Sequence, residues 1–277
     1  MAAEFAGDHR TILCDAPREG VARITLNRPG VMNAYSDRMC EELKDAIARF
    51  RDDDDLRALL ITGAGGRAFC TGGDLSGGDA EPGEAVAHAR RPMGHGRQMR
   101  EGMQAVVLAL RRLDKPSLAM IRGYAVAGGL ALAMACDFRF AAASAKLGDT
   151  SGKAGLLPDE GGAWLFPRAM GLDKALKMTL LHEIYDAATA ERLGLVTEVV
   201  PDEGLEARSL DVCEALAAKA PLSVRLAKVM MEKALDTSLE SSLVDVQMAV
   251  MITNPSQDAR EGIAAFREKR APKFQGR

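Results

Sequence analysis

Aromatic side chains are scarce in this 277-residue chain: one Trp, three Tyr and eight Phe. Core packing therefore falls to aliphatic and small residues and to 14 methionines. Cysteine is limited to Cys14, Cys40, Cys70, Cys136 and Cys213, an odd number at wide spacing with no CxxC. That excludes a disulfide frame or a zinc cluster and reads as free thiols in a reducing compartment. His9, His88, His95 and His182 are scattered, and no HExxH follows His182-Glu183. Each histidine reads as a surface residue, with His95 in a segment suited to closing over a ligand. An excess of positive charge is also missing: the net charge is -3, against the basic field of a nucleic-acid binder. The start, MAAEFAGDHR, has no apolar signal region. The longest apolar run, residues 125–135, is too short to span a membrane and contains two glycines. These features predict a cytoplasmic protein that binds neither nucleic acid nor membrane. GxxxxGK[ST] and GxSxG are absent, and Ala68 breaks the GxGxxG begun by Gly63 and Gly65.

What is present is an α/β pattern. Residues 11–15 and 21–26 are β-rich runs joined by a turn, a hairpin signature. Ser36 is a candidate N-cap for a helix with Met39, Leu43, Ala46, Ile47 and Phe50 on one face. The acidic run 52–55 reads as a solvated turn. Short buried strands are predicted at 57–62, 117–121, 138–142 and 195–200. Residues 79–104 read as a mobile loop leading into a helix that ends at Leu113. After Pro201 the chain predicts four helices, at 203–219, 222–235, 238–253 and 257–270, with a Thr237/Glu240 capping box on the third. The division is a core over 1–200 and a helical region over 201–277. The helical tail suits either a neighbouring subunit or its own core.

Two glycine-bearing turns follow two of the buried strands: Ala68-Phe69-Cys70-Thr71-Gly72-Gly73-Asp74-Leu75 and Gly123-Tyr124-Ala125-Val126-Ala127-Gly128-Gly129. Side by side, such turns aim backbone N–H groups into one pocket, the second with a helix N-terminus behind it. An oxygen that becomes negative during reaction suits that arrangement. The same glycines equally permit tight turns and close packing.

At this point the sequence resembles the enoyl-CoA hydratase/isomerase, or crotonase, superfamily. The segments that carry the resemblance occur in the family's order: ITLNRPGVMNAYS, AFCTGGDL, IRGYAVAGGLALAMACD, GLLPDEGGAWLFPRAMG, ATAERLGLVTEVVP and EGIAAFREKRAPKF. The resemblance implies a spiral of repeated ββα units with a C-terminal helical trimerisation region, assembled as a homotrimer or a dimer of trimers. It implies a coenzyme A thioester as substrate, with no bound cofactor or metal. Gly73 and Gly128 match the oxyanion donors. Arg28 and Val31 match the first CoA-contacting segment, and Thr71, Asp74 and Leu75 match the adenine and pantetheine loop. Phe266 and Lys269 match positions that reach a neighbouring subunit's CoA site. Arg28 and Lys269 also suit solvated surface cations.

The sequence departs from the family where hydratases carry two glutamates, since those positions hold Ala131 and Ser151. Neither side chain acts as a carboxylate base. Asp159, in Leu157-Pro158-Asp159-Glu160-Gly161-Gly162, falls on the acid position of some isomerase branches. It serves there as proton carrier or, more plainly, as a helix N-cap, with Glu160 the adjacent alternative. Trp164, Leu156 and Leu157 are expected to surround the acid with apolar surface and raise its pKa. The reading is an enoyl-CoA isomerase-type double-bond shift through a thioester enolate. The alternatives are hydration, thioester hydrolysis, ring opening or closure, or an acyl-CoA binder with little turnover.

Overall fold

A computed structural model describes residues 5–76 and 94–277. β1 (Ile12–Arg18) and β2 (Val21–Leu26) form the expected antiparallel hairpin, with a register shift around Pro17, which has no N–H to offer the ladder. α1 (Asp37–Asp52) starts where Ser36 Oγ accepts the Met39 N–H, and it buries all five residues expected of its inner face.

The chain then continues through β3 (Ala58–Gly63), β4 (Ala68–Cys70), α2 (Gly94–Glu101), α3 (Met103–Arg111), β5 (Ser117–Ile121), β6 (Tyr124–Val126), α4 (Gly128–Ala135), β7 (Phe138–Ala142) and β8 (Lys146–Gly148). After these come α5 (Gly162–Met170), α6 (Leu172–Leu181), β9 (Ile184–Asp186), α7 (Ala187–Arg192) and β10 (Glu198–Val200). Two sheets result. The larger has the order β1-β2-β3-β5-β7-β10 and is parallel from β2 onward. The smaller is β4-β6-β8-β9, parallel except for β9. Each of the pairs β3/β4, β5/β6 and β7/β8 sends its first strand to the large sheet and its second to the small one. Helices carry the chain to the next pair, which makes the spiral of ββα turns.

All eight residues of α4 are buried and none carries a polar side chain, as the apolar run 125–135 requires. The last strand is shorter than expected and covers only 198–200. The helical region comprises α8 (Leu205–Ala217), α9 (Pro221–Ala234), α10 (Leu239–Thr253) and α11 (Gln257–Glu268). α8 belongs to the main core through Leu205, Cys213 and Ala217. α9 buries no residue and α10 only Ala249, so Met231, Leu235, Leu239, Met248 and Met251 stand exposed.

Two local expectations are corrected. The α10 cap is Ser238, whose Oγ accepts the Ser241 N–H; the Thr237 hydroxyl instead donates to the Lys233 carbonyl of α9. His9 is not a free surface residue, since its Nε2 lies 3.0 Å from Asp45 Oδ2 and its side chain is largely covered. His95 is exposed on α2, and His88 lies outside the described residues. The five cysteines are free thiols. Among the described residues, no helix is long and apolar enough to cross a membrane.

Candidate active site

Because β4 and β6 are parallel neighbours, the turns that follow them emerge at the same end of the small sheet. Gly72 has φ +94°, and a Cβ there would stand 3.3 Å from the Gly128 amide nitrogen, so the two turns touch. Gly128 is the first residue of α4, where helix geometry leaves its N–H without an intrahelical acceptor. Ala127 before it is held at φ +51° and ψ -130°, a conformation of order 1–3 kcal/mol above the ordinary wells. That cost is borne at the point where the backbone must face the pocket. Gly129 closes the junction: a Cβ there would stand 2.1 Å from the Cys70 carbonyl oxygen. The geometry therefore brings Gly73 and Gly128 to one place.

A cavity of about 740 Å³ opens over these turns. Gly73 and Ala127 line it, and Cys40, Met99, Met103, Leu156 and Leu157 give it apolar walls. Asp159 and Glu160 both line it, but they are not equivalent. Glu160 is buried at 5 % exposure, whereas Asp159 is half-buried. A Cβ on Gly128 would stand 2.0 Å from Glu160 Oε1, so the carboxyl lies directly against the N-terminus of α4. Sequence reading favours Asp159 as the inward acid; in the structure both acids line the cavity, and Glu160 is the more deeply buried. The cause is the backbone of the loop. Gln104 of α3 donates to the Asp159 carbonyl at 2.7 Å, and Gly161 follows at φ +127°. Asp159 is not the N-cap of α5 either, a position held by Gly161 with no side-chain cap.

Burial pushes the Glu160 carboxyl up to about 7, and the neighbouring Asp159 charge adds to the rise. Tyr35 works against it by donating its O–H to Glu160 Oε1 at 2.6 Å. Among the described residues, Glu160 Oε2 is buried without a hydrogen-bond partner. The expected apolar surround is only partly present. Leu156 and Leu157 line the cavity, but Trp164 is half exposed and sits between Arg168 and Arg111, at 3.8 and 5.8 Å. Tyr35 carried no weight in the sequence reading. Its signal is chemical: a partly buried phenol needs a hydrogen-bond partner, and this chain has only three tyrosines.

The two positions that hold glutamates in hydratases are occupied as the sequence dictates. Ala131 is fully buried in α4. Ser151 lines the cavity and donates its hydroxyl to Asp149 Oδ1 at 2.7 Å.

Arg28 is not a solvated cation. It pairs with Asp74 at 2.7 Å with both side chains under a tenth exposed, and it also donates to the Ala34 carbonyl. Burial pushes the Asp74 carboxyl up, but hydrogen bonds from Ser76 and Arg28 hold it below the usual carboxylate range. Arg28 and Val31 border a second cavity of about 490 Å³ together with Arg10 and Arg38. Thr71, Asp74 and Leu75 line the first. Phe266 and Lys269, on and just after α11, are exposed and line neither.

Residues 17–277 match the enoyl-CoA hydratase/isomerase family, and the chain belongs to it. It is 37 % identical to (E)-benzylidenesuccinyl-CoA hydratase of Thauera aromatica, over 92 % of this chain and 96 % of that protein. It is 36 % identical to mouse enoyl-CoA hydratase domain-containing protein 2, mitochondrial, over 94 % and 86 %. It is 33 % identical to 1,2-epoxyphenylacetyl-CoA isomerase of Escherichia coli K12, over 94 % and 96 %. Its fold superposes on the enoyl-CoA hydratase of Bacillus anthracis with a TM-score of 0.88 at 31 % identity, covering 97 % of this chain and all of the other.

Proposed function

We propose that this acyl-CoA enzyme holds a thioester carbonyl between the Gly73 and Gly128 N–H groups and moves a proton with Glu160, catalysing a double-bond shift. Glu160 in its ionised form takes a proton from the carbon α to the carbonyl. The electron pair moves onto the carbonyl oxygen, where the two N–H groups and the helix N-terminus stabilise the enolate. The protonated carboxyl then returns the proton to the γ carbon, and the double bond comes to lie beside the carbonyl. A single acid suffices, and none stands at position 131 or 151 to hold a second water-activating carboxylate. The observation that carries this reading is the buried Glu160 carboxyl against Gly128. The CoA moiety would run past Thr71, Asp74 and Leu75 toward the cavity bordered by Arg28 and Val31.

The test is turnover of trans-3-hexenoyl-CoA to its 2-enoyl isomer. Glu160→Gln should lose about 100- to 10,000-fold in kcat, and Asp159→Asn much less. If Asp159→Asn is the inactive variant and Glu160→Gln is not, the assignment is overturned. Conversion of a 2-enoyl-CoA to a 3-hydroxyacyl-CoA that carries the oxygen of water would favour the hydratase reading instead.

The assembly belongs to the same proposal. A homotrimer, or a dimer of trimers, would cover the apolar residues left exposed on α9 and α10, and would bring Phe266 and Lys269 to a neighbouring subunit's CoA.

A further inference from the structure

Tyr35 is held twice. Its backbone N–H donates to the Gly72 carbonyl and its own carbonyl accepts from Asp74 N–H, both at 2.9 Å, so it forms a bridge with Gly73. Its side chain donates to Glu160 Oε1 at 2.6 Å. The ring lies between the two turns: a Cβ would stand 2.8 Å from it at Gly128 and 3.5 Å at Gly73. Main chain and side chain of one residue thus join the loop that carries one oxyanion donor to the acid that lies against the other.

We infer that Tyr35 is a positioning residue: it pins Glu160 Oε1, leaves Oε2 as the oxygen that carries the proton, and fixes the acid in register with the Gly73 loop. This rests on the proton-carrying role proposed for Glu160. Tyr35 donates only while Oε1 has a lone pair to accept, and the bond is strongest to the ionised carboxylate. It therefore favours the form that begins the reaction.

The other ionisable groups around Glu160 act differently. Asp159 opposes ionisation by its charge. The Cys70 thiol at the end of β4 is buried and pushed up to about 12, so it stays neutral. α4 has no titratable residue; α1 brings Asp37, Arg38, Glu41 and Glu42 to the same cavity, and its Cys40 thiol, pushed up to about 12 by burial, stays neutral. α3 has only Arg111, which is paired with Glu232, and Asp149 stands behind Ser151. Among the described residues, Tyr35 is thus the side-chain donor that offsets burial at this carboxyl, alongside a backbone N–H bond at Glu160 itself.

The deciding measurement is a carbon NMR titration of protein labelled at the glutamate carboxyl carbon, with the Glu160 signal identified by its loss in Glu160→Gln. In Tyr35→Phe the Glu160 midpoint should move to higher pH, by roughly a tenfold change in its proton equilibrium. An unchanged midpoint in a folded Tyr35→Phe protein overturns the inference, whatever its activity.

Exchange of the α-hydrogens of hexanoyl-CoA with D2O, followed by proton NMR, provides the functional arm. Tyr35→Phe should slow it about ten- to a hundredfold at pH 7, with part of the loss recovered at pH 9, where the carboxyl is ionised again. A contact with only a structural role would slow exchange equally at every pH. If Glu160→Gln exchanges as fast as the parent, the reading of Glu160 fails. The titration still decides whether Tyr35 controls the carboxyl.

Discussion

At the scale of single residues, the outcome turns on one carboxyl. Asp159 and Glu160 are adjacent and chemically alike, yet one faces the cavity half-exposed and the other is sealed against the N-terminus of α4. Burial makes Glu160 hold its proton more tightly in the fold than in the unfolded chain, up to about 7 against an ordinary 4.5. The linkage has a definite sign. The folded state binds more protons between those values, so this group's contribution to stability is present below about 4.5 and is lost as pH rises through 7. Glu160→Gln removes the ionisation while keeping an acceptor for Tyr35. Its gain in melting temperature over the parent should therefore be larger at pH 8 than at pH 5, as calorimetry at the two pH values will show. Activity should rise with pH around 7 as Glu160 ionises, measured as kcat/KM for an acyl-CoA. Gly128 supplies a second residue-scale expectation. An added methyl would meet Glu160 Oε1 at 2.0 Å, so Gly128→Ala must displace the acid. With the fold intact by circular dichroism, turnover should fall at least about 100-fold, the scale of a lost proton carrier.

Among elements, the site is assembled by the parallel pairing of β4 with β6, which places two turns distant in sequence at one sheet end. The Arg28–Asp74 pair ties the segment after β2 to the loop after β4. With both side chains nearly covered, Asp74→Asn leaves an under-compensated guanidinium and should cost about 3 kcal/mol. Chemical denaturation with an unchanged slope would register that loss. The helix start at Ser36 and the buried face of α1 were legible because cap chemistry and a 3.6-residue period are local properties. The α10 cap was misread by one residue because Thr237 and Ser238 are both competent acceptors. Only the position of α9 decides which hydroxyl is already engaged.

At the scale of the whole molecule, the C-terminal helices leave a broad apolar surface, with Phe266 at 85 % exposure and Met231 at 74 %. A single chain rarely exposes such a surface without a partner. Light scattering should give three or six chains per particle, and Phe266→Glu should weaken acyl-CoA binding if that ring reaches a neighbour's site. A monomer at micromolar concentration would remove that role. The sequence by itself determined the alternation of strands and helices, the buried faces, the paired glycine turns and the absence of acids at positions 131 and 151. Each of these is a matter of residue type and local period. The tertiary structure alone decided that Glu160 and not Asp159 is buried, that Tyr35 touches it across 125 residues of chain, and that Arg28 is spent on Asp74. These depend on where distant loops meet. Burial and pairing, which set a carboxyl's proton affinity, arise only from that meeting.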